Sequence, residues 1–134
     1  MKIQWLLETE DKIDAFELLG LIKISDSSGS SIEENCIYLD SMFSALAEGL
    51  VNLQSNEECE INLIDEPKPI IFSKADDELS ISYNGAKIKV KYGEAIEELC
   101  QSYNKLCTLI NEPAKVATFK ELNQYIQTLC RIQF

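Results

Sequence analysis

The chain has 134 residues, 46% of them hydrophobic, and a formal net charge of −11 with no histidine; that length suits one globular domain burying roughly two thirds of the surface its unfolded form exposes. Its longest apolar runs, "LLGLIKI" and "LAEGLVNL", are far shorter than the roughly 20 residues of a membrane span, and "MKIQWLLETED" turns acidic too early for a signal peptide, so a cytoplasmic protein is expected. The missing histidine removes the commonest general base, the Ser-His-Asp and Cys-His arrangements and the commonest zinc ligand.

From the N-terminus, "KIQWLLE" alternates Ile3, Trp5 and Leu7, and "FELLGLIKIS" continues with Phe16, Leu18, Ile22 and Ile24 on one face, with Gly20 read as a bulge. These predict a first strand pair. The segment "SDSSGSS" at 25–31 is rich in turn formers and predicts a surface loop. In "CIYLDSMFSALAEGLVNL" a short strand ending near Leu39 should pass into a helix capped by Asp40 or Ser41. Leu39, Met42, Phe43, Leu46, Leu50 and Leu53 recur at helical spacing, a stripe wide enough to lie on a sheet. Gly49 beside that stripe costs about 1 kcal/mol of helix propensity relative to Ala, which a close approach of helix to sheet would offset.

Further along, "CEINLIDEP" alternates Cys59, Ile61 and Leu63, and "KPIIFS" reads as its antiparallel neighbour across a turn whose prolines exclude helix. The sharpest local signal is "LSISYNGAKIKV". Asn84-Gly85 supplies the two positive φ angles of a type I′ turn, pairing Tyr83 with Ala86, Ile81 with Ile88 and Leu79 with Val90 on one face. Ser80, Ser82, Lys87 and Lys89 fall on the other, wet face. "GEAIEELCQSYNKLCTLI" then predicts a helix with Ile96, Leu99, Cys100, Tyr103, Leu106, Cys107 and Ile110 on one side and Glu94, Glu97 and Glu98 in its first turns. "TFKELNQYIQTLCRIQF" opens with a capping box, Thr118 with Glu121, and carries Leu122, Tyr125, Ile126 and Leu129 as its stripe. The elements predict a single α+β domain over 1–134, a mostly antiparallel sheet of about five to seven strands covered by about three helices.

Charge is unevenly spread. Residues 1–66 hold 15 acidic and 3 basic residues, a net −12, whereas residues 67–134 hold 8 and 9, a net +1. Such a field repels nucleic acid and anionic lipid and steers basic proteins inward. Its densest stretch is "NEECEINLIDEP" at 56–67. Glu57, Glu58, Glu60, Asp65 and Glu66 there, with Asp76 and Asp77 of "KADDE", are the candidate partner-binding residues, since strand ends and turns let side chains reach out without disturbing a core. The alternative uses of carboxylate fail on spacing. "KADDELS" lacks the alternating ligands and central Gly of a calcium loop. Neighbouring pairs such as Glu57-Glu58 or Asp65-Glu66 point to opposite faces of a strand, which no acid and base pair tolerates. The five glycines never reach phosphate-loop spacing. No catalytic residue, metal or cofactor is therefore expected. Trp5 and Tyr103 sit in apolar stripes and read as core. The five cysteines, Cys36, Cys59, Cys100, Cys107 and Cys130, show no CxxC spacing and read as reduced, mostly buried small hydrophobes.

The succession over residues 35–111 of "NCIYLDSMFSALAEGLVNL", a strand ending in "IDEP", "PIIFS", the hairpin "LSISYNGAKIKV" and "GEAIEELCQSYNKLC" resembles small acidic immunity proteins encoded beside bacterial polymorphic and contact-dependent growth-inhibition toxins. That resemblance implies a cytoplasmic inhibitor that binds one basic toxin domain, often an RNase or DNase. It also implies a monomer in a heterodimeric complex, touching neither nucleic acid nor membrane. Residues 1–34 and 112–134 lie outside it. Secretion chaperones are the alternative: they too are small, acidic and α+β, but they work as homodimers and usually begin with an amphipathic helix, whereas this chain begins with the alternating "KIQWLLE".

Overall fold

The computed structural model describes residues 1–7, 18–63, 66–109 and 120–133, with the backbone alone at Ile132 and Gln133. Period-2 alternation at the N-terminus becomes β1 (Lys2–Leu7) and β2 (Leu19–Ser25), paired antiparallel with Ile3 opposite Ile24 and Trp5 opposite Ile22. β3 (Ser31–Tyr38) closes a three-stranded sheet of order β1-β2-β3. The second sheet, order β4-β5-β6-β7, is built from β4 (Glu58–Ile61), β5 (Ile70–Ala75), β6 (Glu78–Tyr83) and β7 (Ala86–Lys91), all antiparallel. With α1 (Leu39–Asn52), α2 (Tyr92–Thr108) and α3 (Lys120–Gln133), the architecture is α+β with seven described strands and three described helices.

β3 and β7 lie side by side, so the two sheets adjoin there. Asp26, in the turn before β3, binds this junction. Its Oδ1 accepts from the Ser28 and Ser30 N–H groups and the Ser28 hydroxyl, and its Oδ2 accepts from the Lys89 N–H at 3.1 Å. The hydroxyl of Ser28, then the Lys89 amide, hold the carboxyl below its ordinary value of 3.8.

α1 is the centre of the core, touching both sheets and both other helices. All six residues of its predicted stripe, Leu39, Met42, Phe43, Leu46, Leu50 and Leu53, are buried. Gly49 meets the ring of Phe72 on β5 so closely that an added Cβ would stand 2.3 Å from it, which is why the helix tolerates glycine there. α2 buries Ile96, Leu99, Tyr103 and Leu106, and α3 buries Leu122, Ile126 and Leu129. Tyr92, at the start of α2, donates its hydroxyl to the Leu50 carbonyl of α1.

Four expectations change. The extra residue of the bulge belongs to β3: Gly20 faces Ile37 and Ile22 faces Glu34, so Leu21 alone opposes Asn35 and Cys36, and Cys36 takes a φ of 52°. Neither Asp40 nor Ser41 caps α1. Tyr38 holds that position in extended conformation without a side-chain bond, because β3 runs directly into the helix. Asp40 lies inside the first turn, where burial raises its carboxyl pKa against the lowering bonds from the Asp40 and Ser41 backbone. The cysteines are less buried than expected, Cys36 being exposed and Cys59, Cys100, Cys107 and Cys130 half-buried. Trp5 likewise is half-buried against the core. Phe16, Asp65, Ile110 and Thr118, and with Thr118 the capping box, lie outside the described residues.

Candidate functional site

The hairpin fixes one side of the site. Asn84 and Gly85 have φ of 50° and 84°, and Tyr83 faces Ala86, Ile81 faces Ile88 and Leu79 faces Val90 as the turn chemistry requires. With that register one face of the second sheet points inward, and the other presents two cross-strand rows. The first runs Glu58, Ser73, Ser80, Lys89 and the second Glu60, Ile71, Ser82, Lys87, from β4 through β5 and β6 to β7. Glutamates therefore stand at one edge, serines with the partly exposed Ile71 in the middle, and lysines at the far edge. Three strand spacings separate the two charged edges, about 14 Å. That is a separation of backbones: Lys74 and Lys89 line one shallow cleft with Glu57 and Glu58, although no ion pair joins them among the described residues.

The candidate carboxylates divide into three places. Glu58 and Glu60 lie two residues apart on the wet face of β4, both exposed. Glu57, just before the strand, and Asp76, in the two-residue turn between β5 and β6, line one shallow cleft with Leu53, Asn56 and Lys74. Asp77 completes that turn, its carbonyl accepting from the Tyr92 N–H at 2.8 Å, so the acidic turn is fastened to α2. Glu66 sits apart, half-buried near Tyr83. Asp65 lies outside the described residues. Among the described residues none of these carboxylates has an ion-pair partner, the ion pair found being Lys23–Glu33 at 3.5 Å.

Sequence reasoning missed two participants. Lys74 on β5 rises beside the acidic cleft with its ammonium 4.8 Å from the centre of the Tyr92 ring. Glu34 of β3 comes to Tyr83 only because the two sheets adjoin. Burial first, then the Glu34 and Glu66 carboxylates, push the Tyr83 phenol up to about 12. Neither neighbour is visible in a one-dimensional pattern.

Among the described residues there is no cluster of three or more Asp, Glu or Cys groups placed to hold a metal ion, and no helix is long and apolar enough to cross a membrane. What the arrangement offers is an exposed sheet face with glutamates at one edge, lysines at the other and shallow, open clefts along it. In comparisons with family models, curated proteins and solved structures, nothing matches this chain.

Proposed function

We propose that this protein is an inhibitor of the immunity-protein type, which holds a basic toxin domain, an RNase or a DNase, against the acidic edge of its second sheet. The observation that carries this reading is the exposed pair Glu58 and Glu60 on β4, without an ion-pair partner among the described residues and at the opposite edge of the sheet from Lys87 and Lys89, with Glu57 and Asp76 around the corner. A nuclease must present a cationic groove to phosphate, and an exposed rank of carboxylates is the complement of such a groove. The inhibitor works in the cytoplasm as one partner of a heterodimer and needs no catalytic group of its own.

The test is association of the purified chain with the basic toxin domain encoded by the adjacent gene, at low and high salt. Glu57→Lys/Glu58→Lys/Glu60→Lys and Asp76→Lys/Asp77→Lys should slow association at least tenfold at low salt and converge on the parent at high salt. Both should also weaken protection of growing cells against the toxin. Variants that fold and associate as fast as the parent at both ionic strengths reduce this surface to ordinary solvation.

A further inference from the structure

Antiparallel pairing turns alternate residues of a strand toward and away from the neighbour. The Lys74 N–H donates to the Glu57 carbonyl at 2.8 Å, which makes 57 and 74 a hydrogen-bonded pair. The register then makes Cys59 with Phe72 and Ile61 with Ile70 the next such pairs. The N–H and C=O groups of Glu58 and Glu60 accordingly point away from β5, and among the described residues they meet no partner.

Other sheet margins each carry a hydrogen bond from outside their own sheet. At the outer edge of β1, the Ile3 N–H donates to Glu98 Oε1 of α2 at 2.9 Å. The inner margins meet at β3 and β7, where Lys89 donates to Asp26. α1 approaches β4 from the core side, through the Cys59 thiol and the Gly49 carbonyl at 3.7 Å, and so covers a face of the strand, not its edge. An open strand edge is a template for one more strand.

We propose that β4 takes up an extended basic segment of the partner protein as an added strand. The segment's backbone pairs with the N–H and C=O groups of Glu58 and Glu60, and Lys or Arg at alternate positions lies beside the Glu58 and Glu60 carboxylates on the wet face. This rests on the protein-binding reading above and specifies its geometry. The charge pattern selects the occupant. Cross-strand neighbours on one face stand about 5 Å apart, where opposite charges attract and like charges repel. Two copies of β4 pairing edge to edge about a two-fold axis bring glutamates against glutamates, so the edge is closed to self-association and open to a basic strand. The alternation of the strand matches the alternation of the glutamates, so lysine at every second position places every cation on the acidic side.

The probe is a nine-residue peptide with lysine at every second position and threonine between, titrated to millimolar concentration into the isotope-labelled full chain. Its control is a peptide of the same composition with the lysines in one block. The alternating peptide should bind more tightly and slow exchange of the Glu58 and Glu60 amides at least tenfold. Glu58→Gln/Glu60→Gln should weaken it about tenfold, within the range for two exposed ion pairs. Glu60→Pro deletes an N–H that the β4–β5 ladder does not use, so the sheet should persist while strand addition is lost. No binding at millimolar peptide, or binding with unchanged exchange at Glu58 and Glu60, overturns strand addition. A peptide weakened by the Gln variant yet held equally by a folded Glu60→Pro also overturns it, and leaves the acidic-edge reading standing. Equal affinity for the Gln variant and the parent overturns both. The exchange measurement on the unmodified chain decides the matter even where the proline variant fails to fold.

Discussion

The backbone N–H of Lys89 donates to Asp26 Oδ2 across 63 positions of sequence. One carboxylate thereby orders the turn between β2 and β3 and ties the first sheet to the second. Its pKa lies below the ordinary 3.8 when folded, so the ionised form is the one the fold prefers. The stabilisation from this group is present above the unfolded value and is lost as pH falls through the lower folded value. Asp26→Ala should lower the melting midpoint at neutral pH and flatten the acid limb of the stability curve. Faster exchange of the Lys89 amide at pH 7 in that variant is the site-specific readout. An unchanged amide would mean that the sheets are held together elsewhere.

Gly49 and Phe72 give a second prediction. Gly49→Ala gains about 1 kcal/mol of helix propensity. It also drives a methyl to within 2.3 Å of a ring that is 0% exposed and has no room to swing away. Overpacking of that kind costs about 1–3 kcal/mol. The substitution should therefore destabilise by up to about 2 kcal/mol in urea unfolding, and adding Phe72→Leu should recover part of the loss. Stabilisation by Gly49→Ala alone would contradict the close packing.

The hairpin register depends on Gly85 at a φ of 84° with nothing within 4 Å of an added Cβ. Space is available, so strain is the whole effect. Gly85→Val should cost about 1 kcal/mol or more because a β-branched residue resists the left-handed region. Gly85→Asn should cost less. Equal midpoints for the Val variant and the parent would show that the turn is not of this type.

Thiol chemistry separates Cys36 from the rest. It is exposed on the β3 bulge, whereas the other four are half-buried. Cys100 stands with its sulfur 3.6 Å from that of Cys130, linking α2 to α3. Burial, with the adjacent Cys130 thiol, pushes Cys100 up to about 12, so its reactive thiolate is scarce at neutral pH. A mild thiol reagent should label Cys36 in the native protein well before the others, and Cys36→Ser should remove the fast phase. Labelling of all five at one rate would show that the helix pair opens freely.

The local parts of this protein were legible in its sequence because their causes are local. The hairpin at Asn84-Gly85 is dictated by two residues that accept positive φ, and its six inward partners follow by counting. The stripe of α1 follows from 3.6-residue spacing, and the glycine in it was a reliable sign of close packing. The acidity of β4 is simply written in "EECE". The elements whose causes lie far away in sequence were not legible. Tyr38 rather than Asp40 holds the N-cap of α1 because the strand before it continues in pairing with β2. The bulge fell on β3 rather than at Gly20 because register is a property of two strands. The seven described strands divide into two sheets, and the contact between them is bridged by a turn carboxylate, Asp26, that gives no sign in sequence of having a distant partner. The tertiary structure alone set the glutamate edge about 14 Å from the lysine edge. Net charge records how many carboxylates a chain carries, whereas strand order decides which of them stand together at one edge.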